Sequence, residues 1–175
     1  MMRDYRPRWL ADKLREAVEF SPVIVLSGAR QTGKSTLLQS EAPFKDWPYL
    51  TLDDLDTRET AESDPGRLAA LHNRVVIDEV QKAPDLLAAV KVQVDRDRRR
   101  RYVLSGSANL LLMKKVTESL AGRCLYFDLM PFSLGEEDLK APTAWMDLAF
   151  FESRFEPGSI GGISDFRLFR GALPP

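Results

Sequence analysis

Val23-Ile24-Val25-Leu26-Ser27-Gly28-Ala29-Arg30-Gln31-Thr32-Gly33-Lys34-Ser35-Thr36-Leu37-Leu38 decides how this chain is read. The apolar run Val23 to Leu26 predicts a buried strand and Thr36-Leu37-Leu38 a helix, so the octet Gly28 to Ser35 joins strand to helix. Its glycines let the backbone fold around a polyphosphate, and successive N–H groups at a helix N-terminus point at its oxygens. In such a loop Gly28, Ala29, Arg30, Gln31, Thr32, Gly33 and Thr36 form the cradle. Lys34 reaches the β and γ phosphates, and Ser35 ligates Mg²⁺. A bound nucleoside triphosphate with Mg²⁺ is therefore the first expectation; a glycine turn that binds nothing is the plainer alternative.

Outward from this loop, strand and helix alternate. Leu10, Leu14, Ala17 and Val18 keep a helical period over Trp9 to Phe20, ended by Ser21-Pro22. Tyr49-Leu50-Thr51-Leu52 reads as a second strand, closed by Asp53-Asp54. Thr57 to Leu71 reads as broken helices interrupted at Pro65-Gly66. The β-branched run Val75-Val76-Ile77, ending in Asp78-Glu79, predicts a strand buried on both faces of a parallel sheet. A helix from Pro84-Asp85 through Val94 follows, then a strand at Tyr102-Val103-Leu104, a helix from Leu110 to Leu120 and a last strand at Cys124-Leu125-Tyr126-Phe127. The alternation predicts an α/β fold, a three-layer doubly wound parallel sheet. Three regions are expected: an N-terminal helix packing on the core over 1–20, the core over 21–134, and a peripheral tail over 135–175 that begins a further C-terminal domain.

Hydrolysis needs more than a phosphate loop, and Asp78 and Glu79 are the candidates. At the C-terminal end of a parallel strand next to the loop's own strand, Asp78 accepts from the Mg²⁺ hydration shell and from the Ser35 hydroxyl. The backbone turns at the strand's end, so Glu79 can swing toward the γ phosphate as general base. Ser105 and Ser107 follow another strand at the edge where open α/β sheets bind ligands, and either can sense the γ phosphate or the attacking water. A glycine-serine turn that caps the next helix through Ser107 or Asn109 is the plainer alternative. Arg123 reads either as an arginine finger for a neighbouring subunit or as a cation complementing a helix C-terminus. The run Arg96-Asp97-Arg98-Arg99-Arg100-Arg101 suits either nucleic acid or a solvated loop. His72 is the only histidine and has no metal-ligand partner nearby, while Trp9, Trp47 and Trp145 read as packing residues.

Composition narrows the classes. At 175 residues the chain is long enough for one such domain and too short for two of full size. A formal charge of −1 gives no global case for nucleic acid. Cys124 is the single cysteine, so no internal disulfide forms; a small, buried, apolar role in a reducing compartment is expected of it. No apolar stretch approaches the length of a membrane span and no apolar signal core follows the N-terminal charges, so a cytoplasmic protein without membrane contact is expected.

Together, Gly28 to Thr36, Leu52-Asp53-Asp54, Ile77-Asp78-Glu79-Val80-Gln81, Leu104-Ser105-Gly106-Ser107 and Ser119-Leu120-Ala121-Gly122-Arg123 resemble prokaryotic AAA-type P-loop ATPase domains, over about residues 5 to 135. The resemblance implies the P-loop NTPase fold of the AAA/ASCE type with strand order 5-1-4-3-2. It also implies ATP and Mg²⁺ as cofactors, Lys34 with Ser35 or Thr36 on phosphate and metal, and Asp78 on Mg²⁺. Glu79 becomes the base, Ser105 or Ser107 the sensor and Arg123 the finger. In such proteins ATP hydrolysis drives change in a C-terminal domain or protein partner, and homo-oligomers are compatible with a finger acting in trans. A nucleotide-dependent switch with negligible turnover is the alternative, and a small-molecule kinase would need an acceptor pocket that no motif supplies. ATP rather than GTP follows from the resemblance, helped by the absence of an Asn-Lys-x-Asp motif.

Overall fold

The computed structural model describes residues 5–107, 116, 118–137 and 139. Its centre is a five-stranded, all-parallel sheet of β1 (Val23–Ser27), β2 (Tyr49–Thr51), β3 (Arg74–Asp78), β4 (Arg101–Ser105) and β5 (Cys124–Asp128). The order across the sheet is β2-β3-β4-β1-β5, which is the implied 5-1-4-3-2 order read from the other edge. One expectation needs correcting: β3 does not neighbour the phosphate-loop strand. β4 lies between them, pairing Val25 with Leu104 on one side and Ile77 with Leu104 on the other. Succession along the chain does not fix succession across a sheet, and the crossover helices leave room for a later strand to be inserted.

The central strands are buried because helices cover both faces. On one face α1 (Leu10–Phe20) and α2 (Lys34–Ser40) contribute Leu14, Ala17, Val18, Leu37 and Leu38, which meet Ile24, Leu26, Val76 and Val103 of the sheet. The other face holds Val23, Val25, Val75, Ile77, Tyr102 and Leu104. These pack under α3 (Leu55–Ser63), α4 (Pro65–Ala70) and α5 (Leu86–Arg96), and under Val116 and Leu120. Strand side chains alternate between faces, so the sheet sorts Val76 and Val103 to the α2 side and Ile77 and Leu104 to the α5 side. The same alternation puts Asp78 and Ser105, each two residues further along, on the α2 side.

Local chemistry explains the helix boundaries. The Asp54 carboxylate accepts from the backbone N–H of Thr57 and caps α3, and the Asp64 carboxylate accepts from that of Arg67 and caps α4, where Pro65 takes the first turn at no cost in hydrogen bonds. The Pro65-Gly66 interruption read from the sequence is thus the junction of two capped helices. Of the helix expected over Leu110 to Leu120, the structure describes Val116 and residues 118–120, which are helical; Asn109 and Trp145 lie outside the described residues. Cys124 is half-buried, not fully buried, because β5 is an edge strand whose Leu125 and Tyr126 also face outward. Among the described residues no helix is long and apolar enough to cross a membrane.

Leu26 lies on the interior strand β1, paired on both sides, with none of its surface exposed. Leu26→Ala should lower the unfolding free energy by about 2–5 kcal/mol, read from the shift of the urea midpoint at constant slope.

Candidate functional site

Everything chemical gathers at the carboxyl ends of β1, β3 and β4. Beyond β1 the chain turns sharply: Gly28 has φ +155°, Gln31 +64° and Gly33 +91°. Gly28 is required twice over, since a Cβ there would also lie 2.5 Å from the carbonyl oxygen of Leu129. The left-handed Gly33 then releases the chain into α2 at Lys34. The buried Lys34 ammonium turns back on the loop, and Nζ donates to the carbonyls of Gly28 at 2.9 Å and Ala29 at 2.8 Å. Thr32 Oγ1 donates to that same Ala29 carbonyl at 3.0 Å. Burial lowers the Lys34 pKa, and the charges of Glu79, Asp78 and Asp128 oppose this.

Asp78 stands across from the loop, 3% exposed, at the end of β3. Ser35 Oγ donates to Asp78 Oδ2 at 2.7 Å, the Tyr49 hydroxyl donates to the same oxygen, and the Glu79 backbone N–H donates to Oδ1 at 2.9 Å. The register explains Tyr49: it pairs with Val76 while Thr51 pairs with Asp78, so Tyr49 and Asp78 are diagonal neighbours on one face. Burial pushes the Asp78 carboxyl up, yet donation from Tyr49, Ser35 and the Glu79 N–H, aided by the Ser105 hydroxyl, leaves it below its ordinary range. Ser105 Oγ itself is fully buried without a formed hydrogen bond, so it acts on the carboxylate as a nearby dipole. The Tyr49 phenol is pushed far above its usual range, first by burial and then by the carboxylate it serves.

Glu79 takes a left-handed conformation, φ +58° and ψ +36°, which ends β3 and starts the tight turn Val80–Lys82. The backbone does turn there, as the sequence suggested. Its carboxylate accepts from the Gln81 side-chain amide.

The structure thus brings together Gly28 to Ser35, Asp78, Glu79 and Ser105. Arg30, Gln31 and Thr36 lie on the exposed side of the loop and of α2, and Ser107 is half-buried just past β4. Ser35, not Thr36, is the hydroxyl that meets Asp78. Arg123 is not brought into this cluster. It precedes β5, at the opposite end of the sheet and about 20 Å of strand away, and it grips Asp95 with Nε at 2.6 Å and Nη2 at 3.1 Å. In the basic run Arg99 pairs with Asp97, and Arg100 and Arg101 bond backbone carbonyls. Tyr49 was missed by sequence reasoning because a tyrosine in a strand reads simply as a β-former.

A polyphosphate fits this cradle: the backbone opens at residues with positive φ, and a buried ammonium waits at its floor. For the metal, Ser35 Oγ and Asp78 Oδ2 are adjacent hard oxygen donors of the kind Mg²⁺ prefers. Among the described residues no group of three or more His, Cys, Asp or Glu side chains forms a metal cage. Mg²⁺ in nucleotide sites commonly takes one or two protein oxygens, with phosphates and water completing its shell.

A parallel sheet of this order with such a loop after β1, an interior strand, defines a P-loop NTPase domain. A family model described as "AAA domain" matches residues 20–137, and the chain belongs to that family. Uncharacterized proteins of Mycobacterium bovis and of Mycobacterium tuberculosis are each 40% identical to it over 116 residues, which is 65% of this chain and 26% of theirs. The matched region thus spans about a quarter of the length of these relatives. In fold it is similar to the Walker-type ATPase PABY2304 of Pyrococcus abyssi, with a TM-score of 0.52 at 20% identity over 76% of this chain and 56% of that one.

The Asp78 carboxyl is depressed in the folded state, so its ionised form contributes stability that is present above the unfolded value near pH 4 and lost as pH falls through the lower folded value. Tyr49→Phe removes one hydrogen bond to that charge. It should cost about 1.5–3 kcal/mol at pH 7, and the gap from wild type should shrink as pH falls below the ordinary carboxyl range and Asp78 takes up a proton. Urea unfolding at the two pH values checks this.

Proposed function

We propose that this domain binds ATP with Mg²⁺ and hydrolyses it to ADP and phosphate, using the cycle to change the conformation of an attached domain or protein partner. The observation that carries the reading is the 2.7 Å bond between Ser35 and Asp78 at the mouth of a loop whose floor is the Lys34 ammonium. Lys34, released from the Gly28 and Ala29 carbonyls, pairs with β and γ oxygens, and the amides of the loop and of the first turn of α2 hold the polyphosphate. Mg²⁺ supplies neutralisation of charge across the β and γ phosphates, and Ser35 and Asp78 are the residues that would hold it. Glu79, released from Gln81, orients and deprotonates the attacking water, and Ser105 sits where a hydroxyl can report on the γ phosphate. Positioning and charge stabilisation do the catalytic work.

A nucleotide-dependent switch with negligible turnover is the second reading, favoured by two observations. The Glu79 carboxylate is engaged by Gln81, and Arg123 is engaged by Asp95 far from the loop. Assembly of like copies, with Arg123 serving a neighbour's site, and a cytoplasmic location remain part of the proposal; so does nucleic acid as a partner of the arginine run.

Lys34→Ala should weaken Mg-ATP binding by about 100-fold or more in calorimetric titration, through loss of charge-assisted bonds to phosphate. Glu79→Gln should keep that affinity and lower steady-state phosphate release by about 10²- to 10⁴-fold. If the wild-type chain releases phosphate no faster than Glu79→Gln while both bind Mg-ATP, the switch reading replaces the ATPase one.

A further inference from the structure

Arg8 lies twenty residues before the phosphate loop and belongs to none of the nucleotide-binding motifs, yet its side chain is 4% exposed. A buried guanidinium is tolerated only when its charge and donors are matched. Here Nε donates to Glu136 Oε1 at 3.1 Å, Nη2 to the Met130 carbonyl at 2.6 Å, and Nη1 to the carbonyl of Thr32, inside the phosphate loop, at 2.7 Å. The guanidinium carbon lies over the Phe132 ring, 4.3 Å from its centroid. Glu136 is itself fixed. Its Oε1 accepts from the Trp9 N–H at 2.8 Å and its Oε2 from the Ser133 N–H at 2.9 Å. Gly135 lies so close to the Trp9 ring that a Cβ there would sit 2.5 Å from it.

We infer that Arg8 is a positioning residue for the phosphate loop, held in place by Glu136, and that nucleotide affinity is thereby coupled to the docking of residues 130–137. One peptide plane, between Thr32 and Gly33, carries the coupling. In a trans peptide the C=O and the following N–H point in opposite directions. Arg8 fixes the Thr32 carbonyl toward the protein interior, so it fixes the Gly33 N–H on the other side, at the entrance to α2, where the cradle needs a donor. Without Arg8 that peptide can rotate, because glycine on its far side imposes little steric resistance. Phosphate would then have to order the loop as it binds. Linkage makes the effect reciprocal: whatever loosens residues 130–137 weakens phosphate binding, and bound phosphate tightens those residues.

This inference rests on the reading of the loop as an ATP site, and the test separates the two. With the 175-residue chain, labelled with ¹⁵N at glycine, Mg-ATP affinity is measured by calorimetry and the Gly33 amide by its resonance and exchange rate. The variants are Arg8→Lys, which keeps the charge and loses the forked geometry, and Glu136→Gln, which leaves Arg8 in place without its counter-ion. The expected result is an affinity lowered by about 10- to 100-fold in Arg8→Lys and by less in Glu136→Gln. The Gly33 resonance should move and exchange faster in both, while those of the remote Gly66 and Gly122 stay put. In wild type, Mg-ATP should slow hydrogen exchange across 130–137, and Arg8→Lys should abolish that slowing. Unchanged affinity with an unchanged Gly33 amide overturns the inference, as does a change spread equally over all glycines, which would mark general loosening. If wild type binds no Mg-ATP, the ATP reading falls and the Gly33 amide in the two variants still decides whether Arg8 positions the loop.

Discussion

One buried carboxylate ties the site to the fold. Asp78 has almost no contact with water and still sits below its ordinary carboxyl range, so its charge must be satisfied from within. An isolated ionised carboxylate at this depth would cost several kcal/mol. Three donors from three elements prevent that: Ser35 from the first turn of α2, Tyr49 from β2 and the Glu79 N–H from the turn after β3. The positions of these elements are therefore not independent. Any shift of α2 along the sheet removes Ser35 from Asp78, and any slip of β2 by one residue turns Tyr49 to the opposite face.

The alternation of strand side chains makes this cluster possible. Asp78 and Ser105 share the α2 face because each lies two residues beyond a core valine on that face, Val76 and Val103. Ile77 and Leu104, on the reverse face, hold the same strands down against α5. Chemistry and stability are thus assigned to alternate residues of the same short strands. By strand alternation Glu79 would follow Ile77 to the far side, but its left-handed backbone ends the strand and turns the chain at the carboxyl end of β3. A non-glycine residue in that conformation is strained, and the capture of its carboxylate by Gln81 is one contribution that holds it there.

Much of this was legible in the sequence because continuous apolar runs announce buried parallel strands, and the Gly28 to Ser35 spacing has a mechanical meaning. Other parts were hidden for physical reasons. β3 read as a neighbour of β1, since nothing local to Val75-Val76-Ile77 records that β4 is inserted between them. Cys124 read as buried because its strand is as apolar as the others; that β5 forms an edge is a property of the whole sheet. Tyr49 gave no signal, since its role arises from register across two strands. Arg8 was hidden most completely: in Met1-Met2-Arg3-Asp4-Tyr5-Arg6-Pro7-Arg8 it is one of several charges, and only contact with a residue 128 positions away distinguishes it.

That separation bears on why a charge was placed there at all. An apolar residue at position 8 could fill the volume and avoid desolvation, and buried ion pairs replaced by hydrophobic groups are often neutral or stabilising. What an apolar residue cannot do is specify direction. The Arg8 fork addresses three acceptors at once, Thr32, Met130 and Glu136, and so fixes the segment before α1, the phosphate loop and the segment after β5 in one mutual arrangement. A contact this distant in sequence bears a loop-closure cost that short-range contacts avoid, so it forms fully only when the sheet between its ends is already assembled. The loop's geometry then depends on completion of the whole domain. The family match runs to residue 137, one residue past Glu136, so the segment that shares the guanidinium with the phosphate loop lies at the C-terminal end of the matched region. Docking or undocking of that segment has a direct mechanical route to the peptide between Thr32 and Gly33, and this needs no rearrangement of the sheet.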